Sequence, residues 1–218
     1  MVKEYGNWPT PNITDALRAM GYMVVVHHDI RPLFTPVTMA GRARTVMYGR
    51  SNRPGDGINS VDIKEDAKPG DVYVLAMGGY RQGDPTVWGE NSATSIQLRG
   101  AVGTVIDGSC RDTAAIRRMK FPVFCRAISP GGGTSTLYPV AFDVPVVCGG
   151  IRVHPGDIVV GDDDGICVIP QEIEEEALRY VEAYGEKDQA VAPALREGKS
   201  VAEAYSIKKD WIKKAGLR

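Results

Sequence analysis

No stretch of this chain approaches the roughly 20 consecutive apolar residues that a membrane-spanning helix requires. Its first ten residues, MVKEYGNWPT, also lack the apolar core of a secretory signal. A cytoplasmic protein is expected. Cations do not outnumber anions: 26 Lys and Arg stand against 27 Asp and Glu, scattered except for IKKDWIKKAG near the end. Nucleic-acid binding leaves a basic footprint, so that class is set aside, and the lysine-rich tail reads as a solvated helix face. No C-x-x-C pair occurs among the four cysteines, Cys110, Cys125, Cys148 and Cys167. This argues against a zinc or redox site, and the last three lie in apolar stretches as small core residues of a reduced protein. Histidine is scarcer, at three. Two of them, His27 and His28, are adjacent, and a strand would point them to opposite faces, away from any shared metal.

What is present is an alternation of strand-like and helix-like segments over 218 residues, 43% of them hydrophobic. TPNITDALRAMG (10–21) reads as a helix with Thr14 as N-cap and Gly21 beyond its end. YMVVVHHDI and AGRARTVMYG read as strands. Pro69-Gly70-Asp71 and Pro155-Gly156-Asp157 are turns that launch strands Val72–Met77 and Ile158–Val160. VWGENSATSIQLRG (87–100) continues as an amphipathic helix ending at Gly100. A strand at 102–106, a helix at 112–119 and a strand at 121–129 form a β-α-β unit, which implies parallel pairing. From 144 to 170 the pattern is all strand, with GDDDG (161–165) as a tight hairpin turn, not a calcium loop. Residues 171–218 are helical and charged. The expected fold is α/β: a layered α/β/β sandwich of the swivelling-domain type, with a mixed sheet containing the β-α-β unit and a helical C-terminal segment. A TIM barrel would need about 250 residues. One domain, 1–218, is expected, with 171–218 as a C-terminal extension.

The densest chemistry lies in VGTVIDGSCRDTAAIRR (102–118), where a buried strand opens onto Asp107, Gly108, Arg111 and Asp112. Asp112 can be read as a helix N-cap, worth about 1 kcal/mol. Capping does not explain Arg111 beside it, or Asp107 at the strand's end. Asp107 reads either as fixing the Arg111 loop or as a catalytic carboxylate. In α/β layers, ligands collect where strand carboxyl ends meet helix N-termini. Gly89-Glu90-Asn91-Ser92 and Arg111-Asp112 are two such helix starts. One or two carboxylates suit Mg²⁺, which retains several waters. A guanidinium fork suits a substrate carboxylate, and free helix amides add donors for the same anion. Trp88 reads as packing, and PGGGTST (130–136) as a mobile loop near the site.

On these residues the chain resembles the 4-hydroxy-4-methyl-2-oxoglutarate aldolase family and its relative, the regulator of ribonuclease activity A. The resemblance is carried by TDALRAMG, GRARTV, PGDVYVL, WGENSATSIQLRGAVGTVIDGSCRDTAAI, FPVFCRAISP and VVCGGIRVHPGDIVVGDDDGICVIP, most of 14–170. The family's aldolases place an acidic residue about twenty positions before an Arg-Asp pair, and Glu90 meets that spacing ahead of Arg111 and Asp112. The resemblance implies a divalent-metal-dependent pyruvate-type aldolase (class II, without a Schiff base). Such an enzyme cleaves a 4-hydroxy-2-oxo acid through a metal-stabilised pyruvate enolate, with oxaloacetate decarboxylation as a side activity. It implies that Arg111 binds and polarises the 2-keto acid, that Asp112 holds Mg²⁺ or Mn²⁺, and that Glu90 holds it through water. The backbone of Gly89, Glu90, Asn91 and Ser92 would receive the substrate carboxylate. A homotrimer or dimer of trimers (homohexamer) is implied, in which the C-terminal extension packs on a neighbouring subunit. There EAYGEKDQAVAPALREGKS would supply Glu186 or Asp188 to the metal.

Two departures stand out. Asn91 and Ser92 occupy positions where the family's aldolases have small or apolar residues, and Gly131-Gly132-Gly133 replaces an Arg or Lys frequent in relatives. Both bear on the pocket lining and therefore on the substrate. Lys64, Lys68 and Lys120 sit in polar or turn-like settings, which disfavours a Schiff-base lysine. Two other readings stay open. One is a non-catalytic binding protein like the ribonuclease regulator, which has no need of both Glu90 and Asp112. The other is a related lyase that dehydrates or isomerises a sugar-derived keto acid.

Overall fold

The structure, a computed structural model, describes residues 1–51, 53, 57–132 and 136–206, apart from the side chains of 186–189. The chain enters through two short helices, α1 (Val2–Tyr5) and α2 (Thr10–Ala19), and a two-residue strand, β1 (Arg31–Pro32). Strand and helix then alternate: β2 (Met39–Arg50), α3 (Ser60–Glu65), β3 (Asp71–Ala76), α4 (Glu90–Gln97), β4 (Gly103–Cys110), α5 (Thr113–Met119) and β5 (Val123–Ile128). The strand-rich stretch follows as β6 (Leu137–Phe142), β7 (Val146–Cys148), β8 (Ile151–Val153), β9 (Ile158–Gly161) and β10 (Ile166–Ile169). A 3-10 turn at Gln171–Ile173 leads into the long helix α6 (Glu174–Arg196).

Strands β2, β3, β4 and β5 lie parallel in that order, as the β-α-β pattern requires. Such strands are covered on both faces and so read as apolar runs; β3, DVYVLA, is buried at every position. β1 pairs antiparallel at the β5 edge. At the other edge β2 is long enough for two antiparallel partners, β9 along Met39–Arg42 and β6 along Val46–Arg50. Helices α3, α4 and α5 cover one face, where Tyr73, Leu75, Ile96, Ile106 and Ile116 are buried together. The opposite face presents Val72, Val74, Val105 and Phe124 to the β7–β8 hairpin, through Val146, Cys148 and Val153. Each such side chain contributes about 1.5–3 kcal/mol by leaving water. The layering is therefore helix, sheet, hairpin. A third cluster joins α2, β9, β10 and the first turns of α6, where Ala177, Leu178 and Val181 meet Ile13 and Leu17. Among the described residues, no helix is long and apolar enough to cross a membrane.

Several local expectations are corrected, each by a distant partner. The first long helix begins at Thr10, not Thr14, because Pro11 presets its first turn and Asp162 accepts bonds from both Thr10 N and Oγ1, each 2.7 Å. Thr14 instead donates its hydroxyl to Pro11 O. YMVVVHHDI forms only an isolated bridge at Val25, and the chain turns at His27, whose carbonyl accepts from Ile30 N. His27 and His28 thus do not alternate across a strand; their rings stack with centroids 4.3 Å apart. The strand expected at 102–106 runs on to Cys110, with a register shift between Ile106 and Ser109, which places Asp107 mid-strand. GDDDG is the β9–β10 hairpin turn, as read. All four cysteines are free and buried, and burial pushes the Cys125 thiol up to about 11, so it is inert.

Candidate functional site

The carboxyl ends of β3, β4 and β5 point to one edge of the sheet, and the loop after β3 returns there. Its last residues lie alongside the end of β4: Trp88 bridges Cys110, and Thr86 bridges Gly132. Arg111 N donates to Trp88 O at 3.0 Å, and Thr86 N to Gly131 O at 2.8 Å. The Thr86 hydroxyl donates to Ser129 O (3.0 Å) and lies 3.3 Å from Ser109 Oγ. This frame delivers Gly89 beside Arg111 and Asp112, and α4 begins at once with Glu90.

Gly89 leaves room for the Asp112 carboxylate, and its backbone angle does not call for glycine. Its φ of −157° is extended, but a Cβ there would lie 2.5 Å from Asp112 Oδ2 and 3.1 Å from Arg111 Cγ. Asp112 has φ 55° and ψ 31°, in the left-handed region, a conformation whose cost of roughly 1–3 kcal/mol is typical of functional positions. The expectation that its carboxylate caps its own helix is not met. The left-handed turn carries it to the other helix start instead, where Oδ2 accepts from Glu90 N at 3.2 Å. Among the described residues nothing bonds Asp112 Oδ1.

Arg111 and Asp112 side chains are 47% and 43% exposed, with Nε 3.5 Å from Oδ2. An ion pair that open contributes less than about 1 kcal/mol. Stability therefore does not account for the pair. The Arg111 guanidinium rests on the backbone of Gly132, where any Cβ would overlap it.

A cavity of about 220 Å³ is bordered by Gly89, Asn91, Ser92, Arg111 and Asp112, together with Thr86, Val87 and Trp88. The structure thus brings together the expected Arg-Asp pair and the start of α4. Glu90 contributes its amide through Asp112, while its exposed carboxylate is not part of the lining. The side chains of Glu186 and Asp188, and loop residues 133–135, lie outside the described residues. Trp88 is packed at 3% exposure, as expected, and its Nε1 has no partner among the described residues. Lys64 bonds Ser60 Oγ on α3, away from this cavity. Asp107 does not fix the Arg111 loop: it pairs with Arg126 and accepts from Gly149 N at 2.8 Å, on the hairpin face. Thr86 and Ser109 escaped the sequence reading, and no pattern signalled them; Gly132 belongs to the glycine triplet that the sequence placed near the site.

Asp112 offers the cavity a carboxylate, a hard oxygen ligand of the kind Mg²⁺ and Mn²⁺ take while keeping several waters. With Oδ1 of Asp112 unbonded among the described residues, this carboxylate fits such an ion. Known proteins share this arrangement of chain. A family model described as RraA-like, Aldolase/RraA, matches residues 10–168. The chain is 31% identical over 206 residues to a Halalkalibacterium halodurans protein provisionally named 4-hydroxy-4-methyl-2-oxoglutarate aldolase, covering 94% of this chain and 92% of that protein. Among solved structures it is similar to an uncharacterised Pseudomonas syringae protein, with TM-score 0.82 and 27% identity over 93% of this chain and 95% of that one. It is also similar to Streptomyces coelicolor RraAS2, described as an unusual member of the RNase ES inhibitor RraA family. There the TM-score is 0.78 and the identity 26%, over 86% of this chain and 93% of that one.

Proposed function

The chain belongs to the RraA-like (Aldolase/RraA) family, and on that premise we propose that it is a metal-dependent carbon–carbon lyase of the pyruvate-aldolase type. One observation carries this reading. Arg111 and Asp112 stand side by side, about half exposed, with unused bonding capacity at the start of α4.

The substrate is a 4-hydroxy-2-oxo acid. The Glu90 amide is committed to Asp112, so the orphan amides of Asn91 and Ser92 at the start of α4 receive the substrate carboxylate. Arg111 directs its fork at the keto acid. When the C3–C4 bond breaks, the 4-hydroxyl gives its proton to a water acting as base and becomes a carbonyl, and the electron pair passes to C3 and the C2 oxygen. Arg111 faces that growing negative charge, so its contact strengthens in the transition state and accelerates the step. Protonation at C3 then yields pyruvate. Asp112, and Glu90 through water, would hold Mg²⁺ or Mn²⁺, which when bound supplies Lewis-acid stabilisation of the same charge. Oxaloacetate decarboxylation follows from the same electron flow. The Asn91 amide and Ser92 hydroxyl put polar groups on the wall, which suits a substrate with a polar substituent beyond C4. The assembly is a trimer or dimer of trimers in the cytoplasm, with the C-terminal extension packing on a neighbouring subunit.

The second reading, a non-catalytic regulator, is favoured by the likeness to RraAS2. A panel of 2-keto acids, including oxaloacetate, assayed for pyruvate with Mg²⁺ or Mn²⁺ and with chelator, separates the two. Chelator-sensitive pyruvate release is expected. No release, together with no Mg²⁺ binding, selects the regulator.

A further inference from the structure

A second cavity, of about 740 Å³, opens at the same carboxyl edge of the sheet but on the hairpin face, beside Asp107 and Arg126. His28 and Asp29 line it. With His27 they form the only group of three metal-capable side chains found among the described residues, their ligand atoms all within 4.8 Å of one another. We propose that His27, His28 and Asp29 form a binding site for a divalent transition-metal ion of the zinc class, separate from the Asp112 site.

The donor chemistry selects the ion. Two imidazoles and one carboxylate favour late first-row metals such as Zn²⁺ and Ni²⁺ over Mg²⁺. Three protein ligands also leave a position for water or an incoming anion. The geometry is close to what such an ion needs. Asp29 oxygens lie 3.5 Å from His27 Nδ1 and 3.5 Å from His28 Nε2. Donors bound about 2.0–2.2 Å from a tetrahedral ion are about 3.4 Å apart; Oδ2 stands at that distance from His27 and Oδ1 from His28, so each imidazole already has one carboxylate oxygen at ligand spacing.

The site is also held in place. The two rings lie side by side, stacked 24° from parallel; an imidazole binds in its own plane, so metal entry turns one ring out of the stack, which the exposure of both histidines allows. The turn beneath them is tied by His27 N donating to Gly149 O at 2.9 Å and by Ile30 N donating to His27 O at 3.0 Å. Gly149 can come that close because a Cβ on it would meet Val26 Cγ1 at 2.5 Å. Behind the carboxylate, Arg126 Nη1 lies 3.5 Å from Asp29 Oδ2 and is itself paired with Asp107. This is the outer support that orients a ligating carboxylate. Metal entry displaces one contact, the 3.3 Å bond from Asp29 N to His27 Nδ1, and that exposed amide is taken over by water.

The experiment uses the full chain without a polyhistidine tag, with Zn²⁺ followed by calorimetry and Co²⁺ by its visible absorption. With excess Mg²⁺ present to occupy the Asp112 site, one equivalent of Zn²⁺ is expected to bind the wild type and Asp112→Ala alike. Affinity should fall about tenfold or more in His28→Ala and in His27→Ala. Both histidines are on the surface, and unchanged metal-free melting temperatures would show that the fold is intact. Equal Zn²⁺ affinity in wild type and His28→Ala overturns the proposal. So does an equivalent lost in Asp112→Ala but kept in His28→Ala.

Discussion

Asp107 and Asp112 lie five residues apart on one strand and its exit, and they meet opposite fates. Asp107 is 15% exposed, paired with Arg126 and bonded to the Gly149 amide. Asp112 is 43% exposed, holds a strained backbone angle, and accepts a single backbone bond through one oxygen. A carboxylate whose capacity is used up ties the sheet to the hairpin that covers it. One with an oxygen to spare, at a helix start beside a half-exposed guanidinium, is available to an ion and a substrate. Composition does not separate these two roles; the partners do.

The sharpest break in that comparison is Asp112→Ala. Turnover should fall about 100-fold or more while the melting temperature holds, measured by pyruvate release and calorimetric melting. Unfolding instead would make Asp112 structural, like Asp107. Next comes Arg111→Lys, expected to cost about 10–100-fold in kcat/KM, because an ammonium cannot make the two-pronged contact. Gly132→Ala should cost about tenfold by displacing the guanidinium, with stability kept, since Gly132 lies in no left-handed conformation. Asp107→Ala inverts the pattern: it leaves Arg126 with Asp29 as its remaining partner and strands the Gly149 amide, costing about 1–3 kcal/mol, and should leave kcat per folded molecule near wild type. Smallest is a pH effect at Asp84, on the loop that leads to the site. Its hydrogen bond with Arg50 holds the Asp84 carboxyl below the ordinary carboxylate range. A depressed folded-state value stabilises the protein above the unfolded value, and this contribution is lost as pH falls through the folded one. The stability gap between wild type and Asp84→Asn, read by denaturant titration, should therefore be full at pH 6 and close toward pH 3.

Much of the fold was legible because it rests on local pattern. The unbroken apolar run of β3 and the strand–helix–strand order around β4 and β5 announce parallel strands covered on both faces. The Arg-Asp pair and its spacing from Glu90 were legible through resemblance, and the structure brings Arg111, Asp112 and the Gly89–Ser92 turn to one cavity. What escaped depends on partners far along the chain. Thr10 starts its helix because Asp162 accepts its donors, and His27 turns where Gly149 O takes its amide. Asp107 looked available because Arg126 and Gly149 could not be placed beside it. Asp112 looked like a cap for its own helix because φ is not written in a sequence.

The most direct test is a calorimetric Mg²⁺ titration of wild type, Asp107→Ala and Asp112→Ala side by side. The account predicts binding in the first two and none in the third, with Asp112→Ala still folded. Undiminished binding in Asp112→Ala, or no binding in the wild type, would contradict it.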